Sequence, residues 1–467
     1  MRSLSDDTLA EYAAGVGVMK KRNPADKTSW WYQAAIHGSQ EAADDLYNQC
    51  KHGSWYFLAW HRMYLYYFER IVRAAVVEAG GSEDWALPYW NYAIDRNHST
   101  LPDGFRKPDD EATNPLFVAL RRPPELGIPG INEGAGLPWE KLAEAEAKAL
   151  ARPQFIGDTQ VGGFGGGRGP AEPKLYSQTG VVELRPHNNV HNLVGKEGWM
   201  ADEDAAAKDP IFWLHHANID RIWAQWQSDG NQNPTEGAWR DEPFAFFDVD
   251  GGEDHKTPGQ VLDTVTDLEY AYDVVPSAGG GGEPEEAAVP AGAAEPDPKV
   301  VAAGDGLILT GGPEDVSVPF EQRAQAEVEE ASRETDPRDL YLNIEDIEAK
   351  MNPGTVYAVY VNLPKNPNQE TLDAHYAGSI SFFGIERTND PRADEHPHGL
   401  RYSLEIGDLL RSLGDGERYK EEGVHVTFRP ETLEAPEGMA ETEALAIAEA
   451  PKEESPVQIG RVSLSVG

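Results

Sequence analysis

NQCKHGSWYFLAWHRMYLYYFE (residues 48–69) places Cys50, His52, His61 and eight aromatic rings in twenty-two positions. Cys50 is the single cysteine of a 467-residue chain. From about 58 to 79 the apolar residues recur at helical spacing, which predicts an amphipathic helix. His61 and Glu69, eight apart, share one of its faces. A histidine inside an aromatic helix is ordinarily a satisfied core residue, and a lone buried cysteine ordinarily behaves as a small apolar one. The other histidines decide whether that reading suffices here.

Thirteen histidines occur, and seven follow a pattern. His37 closes "SWWYQAAIHG"; His52 and His61 bracket "GSWYFLAW"; His187 and His191 stand four apart in "PHNNVH"; His215 and His216 are adjacent in "DPIFWLHHANIDRIWAQW". Spacing of four on a helix puts two rings on one face, where both can reach a single ion. His216 and Asp220 share that spacing. His98, His255, His375, His396, His398 and His425 have no such context and read as surface or packing. With one cysteine, a thiolate zinc site is excluded. Imidazole-only ligation suits copper, zinc, iron or nickel, and three neutral imidazoles leave an open coordination position. Two three-histidine sites of a zinc hydrolase are compatible with the spacing alone.

The chain is long enough for two domains. Eighty Asp and Glu against 40 Lys and Arg give a net charge of −40, which argues against nucleic acid and anionic membrane surfaces as partners. The lone cysteine excludes an internal disulfide framework. The start, "MRSLSDDTLAEYAAGVGVMKK", carries charges where a secretory signal needs an apolar core. No apolar run approaches the ~20 residues of a membrane span. A cytoplasmic location is the expectation.

Helical patterns fall at about 5–22, 28–37, 58–79, 138–151, 187–194 and 210–227, all in a domain assigned to 1–275. "VGGFGGGRGPAEP" (161–173) lacks the Lys-Ser/Thr of a phosphate loop and reads as a flexible surface loop. Residues 276–298, rich in Pro, Gly, Ala and Glu, read as a disordered linker. Beyond it, "VYAVYVNLP", "AGSISFFGIE", "LRYSLEI", "VHVTFRP" and "VQIGRVSLSV" alternate as strands of an antiparallel β-sandwich over 299–467. An acidic insertion at 431–456 reads as a hairpin loop between the last two strands.

"HGSWYFLAWHRMYLYYFE" and "DPIFWLHHANID" resemble the two copper motifs of the type 3 copper family: tyrosinases, catechol oxidases and molluscan-type haemocyanins. The resemblance spans about residues 15–230, and the strands beyond 350 resemble the β-domain that follows in haemocyanins and many phenol oxidases. It implies an α+β multidomain fold: a mainly helical four-helix-bundle dicopper domain, then the β-sandwich. It implies two copper ions as cofactors, CuA on His37, His52 and His61 and CuB on His187, His191 and His216, with His215 a neighbour. O2 is then the cosubstrate, and small phenols the partners: monophenols hydroxylated at the ortho position and o-diphenols oxidised to o-quinones.

Finer expectations follow from the same resemblance. Glu183 matches a glutamate that holds a water near CuB in the family's phenol oxidases, and Asn188 an asparagine that orients it. Cys50 matches a cysteine bonded through sulfur to the imidazole carbon, here a Cys50–His52 cross-link. Phe57 and Phe212 wall the pocket, Asp220 anchors a ring or an arginine, and Asp202, Glu203 and Asp204 make the entrance acidic, disfavouring carboxylated phenols. The β-domain of relatives can cap the copper site, which implies an intramolecular cap and latency relieved by cleavage in the linker. Phe382 and Phe383 are candidates to enter the site, or are sandwich core. Catechol oxidase or o-aminophenol oxidase without monophenol activity, and an oxygen-binding protein like haemocyanin, use the same ligands.

Overall fold

The helices begin where their capping chemistry puts them. α1 (Asp6–Lys21) follows Ser5, whose hydroxyl accepts from the Thr8 N–H at 3.2 Å. Asp6 and Asp7 lie in its first turn and Lys20 and Lys21 in its last, matching the helix dipole. α2 (Trp30–His37) follows Ser29, which accepts from Tyr32 N–H at 3.1 Å. α3 (Phe57–Glu78), α4 (Trp139–Leu150) and α5 (Asn188–Gly195) keep close to their expected bounds. α6 (Pro210–Ser228) has Asp209 accepting from Ile211 N–H at 3.1 Å, and Pro210 at a first-turn position where its missing N–H costs nothing.

The computed structural model describes residues 5–40, 44, 46–125, 128–157, 162–169, 171, 178–275, 299–320, 328, 340–387, 399–413, 423–436 and 456–466. The expected linker and most of the acidic insertion lie outside them. Two units are distinguished: Met1–Gly157 with Gly163–Ser277 and Thr432–Ile447, and Asp158–Gly162 with Ala278–Glu431 and Ala448–Gly467. Among the described residues, no helix is long and apolar enough to cross a membrane.

In the first unit α3 is buried along most of its length, and α1 and α6 pack on it. Trp30, Trp60, Trp213, Trp223 and Tyr64 are fully buried there, which accounts for the abundance of large rings. Two buried ion pairs tie distant segments to the bundle. Arg121 donates from Nη2 to Asp209 Oδ1 at 2.7 Å and from Nε to Oδ2 at 2.9 Å, and also to the carbonyls of Phe105 and Leu116. Arg62 donates from Nε to Asp220 Oδ1 at 2.5 Å, while the hydroxyls of Tyr270 and Tyr272 donate to Asp220 Oδ2 at 2.5 and 2.6 Å. Asp220 is thus the arginine anchor, not an anchor of an imidazole.

The glycine-rich stretch is a correction. Residues 163–167 are buried rather than a surface loop. Phe164 stacks on Trp226 with ring centroids 4.7 Å apart. A Cβ at Gly165 would meet the Phe155 ring at 2.3 Å, and Gly166 has φ +103. Only glycine permits so close an approach. The Gly167 carbonyl accepts from Trp55 N–H, and the Gly163 carbonyl from Val181 N–H. The stretch therefore braces both the loop of His52 and the segment that leads to Glu183.

The second unit has two antiparallel four-stranded sheets. Numbered in chain order after the ribbon β1 (Phe244–Phe247) and β2 (Glu253–Lys256) of the first unit, the strands are β3 (Lys299–Leu309), β4 (Glu314–Pro319), β5 (Leu340–Glu348), β6 (Tyr357–Val361), β7 (Tyr376–Ile380), β8 (Leu400–Glu405), β9 (Gly423–Pro430) and β10 (Val457–Val466). The sheet orders are β3-β10-β5-β8 and β4-β9-β6-β7. β9 and β10 sit in different sheets, so the acidic insertion joins two sheets instead of closing a hairpin. Phe382 and Phe383, both within 1% of full burial, are core residues just beyond β7.

The Arg121–Asp209 pair generates a stability prediction. Asp209→Ala removes the cap of α6 and leaves Arg121 buried without its carboxylate, a loss expected to cost about 3–5 kcal/mol. Urea unfolding monitored by circular dichroism measures it; a loss below about 1 kcal/mol would show that the pair does not hold the bundle.

Candidate metal centre

Each patterned histidine is delivered by a different local device. His37 is the last residue of α2, and Gly38 lets the chain pass Glu203 closely: a Cβ there would lie 2.3 Å from the Glu203 carbonyl oxygen. His52 sits on the loop before α3, His61 one turn into that helix, His191 on α5 and His216 midway along α6. The chain kinks at Arg185, where the backbone turns extended. A short wide turn over Glu183–His187 then leads directly into α5. All six rings are at most 3% exposed.

Their outer nitrogens are held one by one. His37 Nδ1 faces the Glu203 carbonyl at 3.1 Å, His61 Nδ1 the Phe57 carbonyl at 2.8 Å and His191 Nδ1 the Met200 carbonyl at 2.6 Å. His187 Nδ1 faces Asn188 Oδ1 at 2.8 Å, and His52 Nδ1 faces Glu183 Oε1 at 3.1 Å. Carbonyls and carboxylates only accept, so in these five rings the proton sits on Nδ1 and the Nε2 lone pair points inward. The inward atoms crowd: His37 and His52 Nε2 are 3.3 Å apart, and His216 Nε2 is 3.3 Å from the Nε2 of both His187 and His191. His61 Nε2 is buried with no hydrogen-bond partner. Lone pairs facing each other repel, and a cation among them removes the conflict. An acceptor behind Nδ1 is the usual companion of a metal-ligating histidine.

Burial pushes His61, His187, His191 and His216 well below the ordinary histidine range, and the neighbouring histidines push the same way. The rings stay neutral, as a metal ligand must. Burial pushes Glu183 up, opposed by the hydrogen bond from His52. Ligand atoms of His187, His191, His215 and His216 lie within 4.8 Å of one another, as do those of His37, Cys50 and His52, and those of His37, His61 and His216. His216 thus stands where the two expected triads adjoin.

Phe57 and Phe212 line the space as expected. The Phe57 ring is 4.7 Å from His61 and 4.8 Å from His187; the Phe212 ring is 4.2 Å from His216 and 4.9 Å from His37. Glu203 departs from expectation. It is buried, its Oε1 accepting from Cys50 Sγ at 3.3 Å, so it is no entrance residue. Asp202 and Asp204 are half-buried. The carbonyls of Phe57, Met200 and Glu203 were not foreseeable, because any residue supplies a carbonyl.

The fold and this donor set define a helical protein built around paired all-histidine metal subsites. Residues 27–133 and 138–229 match the common central domain of tyrosinase, and residues 298–466 match a domain of unknown function. The chain is 33% identical over 475 residues to tyrosinase HcTyr1 of Hahella sp. (strain CCB-MM4), covering 92% of this chain and 94% of that protein. It is 30% identical to the chloroplastic polyphenol oxidase A1 of Vicia faba over 297 residues, 58% of this chain and 46% of that one. The structure of latent apple tyrosinase shares the fold at 23% identity, covering 100% of this chain and 95% of its own with a TM-score of 0.60. The chain belongs to the tyrosinase family of type 3 copper proteins, an oxidoreductase family with two copper ions as cofactors.

The neutral rings predict an acid-sensitive metal-free state. A histidine whose folded pKa is depressed contributes stability present above the unfolded value near 6.5 and lost as pH falls below it, by up to about 1.4 kcal/mol per pH unit for each ring. Glu69, Glu183, Asp202 and Glu434, raised by burial, act in the opposite sense above about pH 4, and stand against five depressed rings once His215 is included. The urea midpoint of the metal-free protein should therefore fall from pH 7 to 5.5, while the copper-loaded protein holds its midpoint to lower pH. Coincident curves for the two forms would contradict the tautomer argument.

Proposed function

We propose that this chain is a copper-dependent phenol oxidase that uses O2 to hydroxylate monophenols at the ortho position and to oxidise o-diphenols to o-quinones. The observation that carries this is the ring of inward lone pairs, each Nδ1 but that of His216 held from outside. His37, His52 and His61 would hold one copper ion, and His187, His191 and His216 the other. When bound, the pair supplies the site for dioxygen and the electrons that reduce it. The chain does the rest. Phe57 and Phe212 offer apolar faces to an aromatic substrate and exclude water. Asn188 holds the His187 ring in the tautomer that ligates.

Glu183 is the proton acceptor in this reading. Its Oε1 accepts from Gly53 N–H at 2.8 Å and from His52, while Oε2 is buried without a hydrogen-bond partner. That oxygen is suited to take the proton of a phenol hydroxyl, directly or through one water, as a positioned base does. A diphenol loses its protons more readily and needs this help less. Glu183→Gln is expected to slow monophenol hydroxylation by roughly 10²-fold, in the range general-base loss costs, with catechol oxidation changed far less. Oxygen uptake with a monophenol and its matching diphenol, measured on copper-loaded protein cleaved in segment 276–298 so that latency does not intervene, reads both; equal losses would remove the base role, and no uptake with either substrate in the cleaved wild type would favour an oxygen carrier.

Cys50 is proposed to be joined to His52 through a bond from sulfur to an imidazole carbon; the S–H bond and that C–H bond would be lost, and O2, the cosubstrate of the proposed reaction, would take up the two electrons and two protons. The placement of Cys50 beside the His52 and His37 nitrogens supports this, and the bond would lock the one ligand carried by a loop. Copper-loaded protein should then be lighter by two hydrogens in intact-mass measurement, and Cys50 should resist alkylation under denaturing conditions; an alkylatable thiol contradicts the bond.

Latency is the third part of the reading. The apple relative is latent, and the segment 276–298 of this chain has the composition of an accessible linker. Cleavage confined to it should raise the catechol rate; an unchanged rate after complete cleavage argues against a cap.

A further inference from the structure

We infer that Glu203 is a positioning residue for the Cys50–His52 bond: its carboxylate holds the Cys50 sulfur where the imidazole carbon can be reached. The inference rests on the cross-link proposed above. Glu203 lies between α5 and α6, flanked by Asp202 and Asp204, yet it is buried. Its Oε1 accepts from Cys50 Sγ at 3.3 Å. The carbonyl of the same residue accepts from His37 Nδ1 at 3.1 Å. Gly38 lies so close to that carbonyl that a Cβ there would be 2.3 Å from the oxygen. His37 Nε2 in turn stands 3.3 Å from His52 Nε2. One residue thus spans the thiol and the ring beside the one the thiol must meet.

Burying a carboxylate is costly, and a leucine would fill a comparable space without that cost. A task at this position offsets the cost. A cysteine side chain has three staggered positions about χ1, and they point the sulfur in different directions. The hydrogen bond to Oε1 favours one of them. It also engages the thiol proton, which leaves the sulfur lone pairs for the ring carbon. Sγ lies within 4.8 Å of ligand atoms of both His37 and His52. In the reaction a sulfur–carbon bond forms, the S–H bond and one imidazole C–H bond break, and O2 takes up the two electrons and two protons to leave hydrogen peroxide. Holding the reacting atoms in place is what makes such a step fast. The backbone carbonyl does not depend on the side chain, so a substitution at 203 removes the hold on sulfur and keeps the hold on His37.

The rate of cross-linking tests this. Metal-free full-length protein, as wild type, Glu203→Leu and Glu203→Gln, is loaded with copper(I) in air, and intact mass and Cys50 alkylation under denaturing conditions are followed over time. Wild type should lose two hydrogens. Glu203→Gln keeps an acceptor and should do so at close to the wild-type rate. Glu203→Leu should be roughly 10- to 100-fold slower, the range that loss of an orienting partner costs at metal sites. It should still take up two equivalents of copper, which a general loss of structure would not allow. Glu203→Leu cross-linking at the wild-type rate overturns the inference and leaves the bond itself intact; Glu203→Gln as slow as Glu203→Leu overturns it too, because an acceptor is then not what the sulfur needs. A wild type that takes up copper and stays uncross-linked overturns both the inference and the bond. Should Glu203→Leu not fold, Glu203→Asp decides: with its acceptor drawn back by one methylene it should cross-link more slowly than Glu203→Gln, and equal rates overturn the inference.

Discussion

An imidazole carries one proton, and where that proton sits governs this molecule. If Nδ1 holds it, Nε2 offers a lone pair; if not, the inward face of the site fills with N–H groups and no cation can enter. Acceptors therefore surround the site from outside: two helical or loop carbonyls on one side, a third from α3, an asparagine amide and a glutamate. The cost is visible at the centre, where nitrogens with like lone pairs stand 3.3 Å apart. The remainder of the first unit can be read as the scaffold that holds those rings against their own repulsion.

That scaffold is rigid for identifiable reasons. Large aromatic side chains fill the space between α3 and α6, so neither helix can slide without opening a void. The Arg121–Asp209 pair fixes the start of α6, and with it the phase at which His216 faces inward. The glycine-rich stretch lies against the loop that carries His52, and its glycines permit backbone contacts that any side chain would block. A loop alone would leave His52 mobile; a braced loop does not.

Much of this was legible in the sequence, and the boundary is instructive. Periodicity located the six helices to within a residue or two, and three of them start at a local cap, Ser5, Ser29 or Asp209, which the pattern of apolar residues alone did not use. The histidine spacing marked His187 and His191 as a pair, since two rings one helical turn apart have little choice of direction, whereas the full set of six candidate ligands rested on the resemblance of the two motifs. The strands of the second unit were recognisable by alternation at β6 to β10, whereas β3, β4 and β5 were not singled out. What escaped depended on partners far away in the chain. Glu203 read as a surface acid because neighbouring acids flank it, yet it faces Cys50. The glycines read as freedom when they signify close approach. Which sheet receives β9 and which β10 is a matter of pairing between distant segments, and local pattern says nothing about that.

The Asp220 cluster carries a consequence for how such a chain can be assembled. Tyr270 and Tyr272 stay protonated, pushed well up by burial and by the carboxylate, and so remain donors at any ordinary pH. They clasp the final turn of the first unit to α3 and α6 a few residues before position 276. The clasp itself is made by residues that precede position 276. The unit is nevertheless not closed there, because Glu434 returns from far downstream to exchange backbone hydrogen bonds with Gly136 and to pair with Arg96, so an exchange of everything beyond 276 would have to keep that segment.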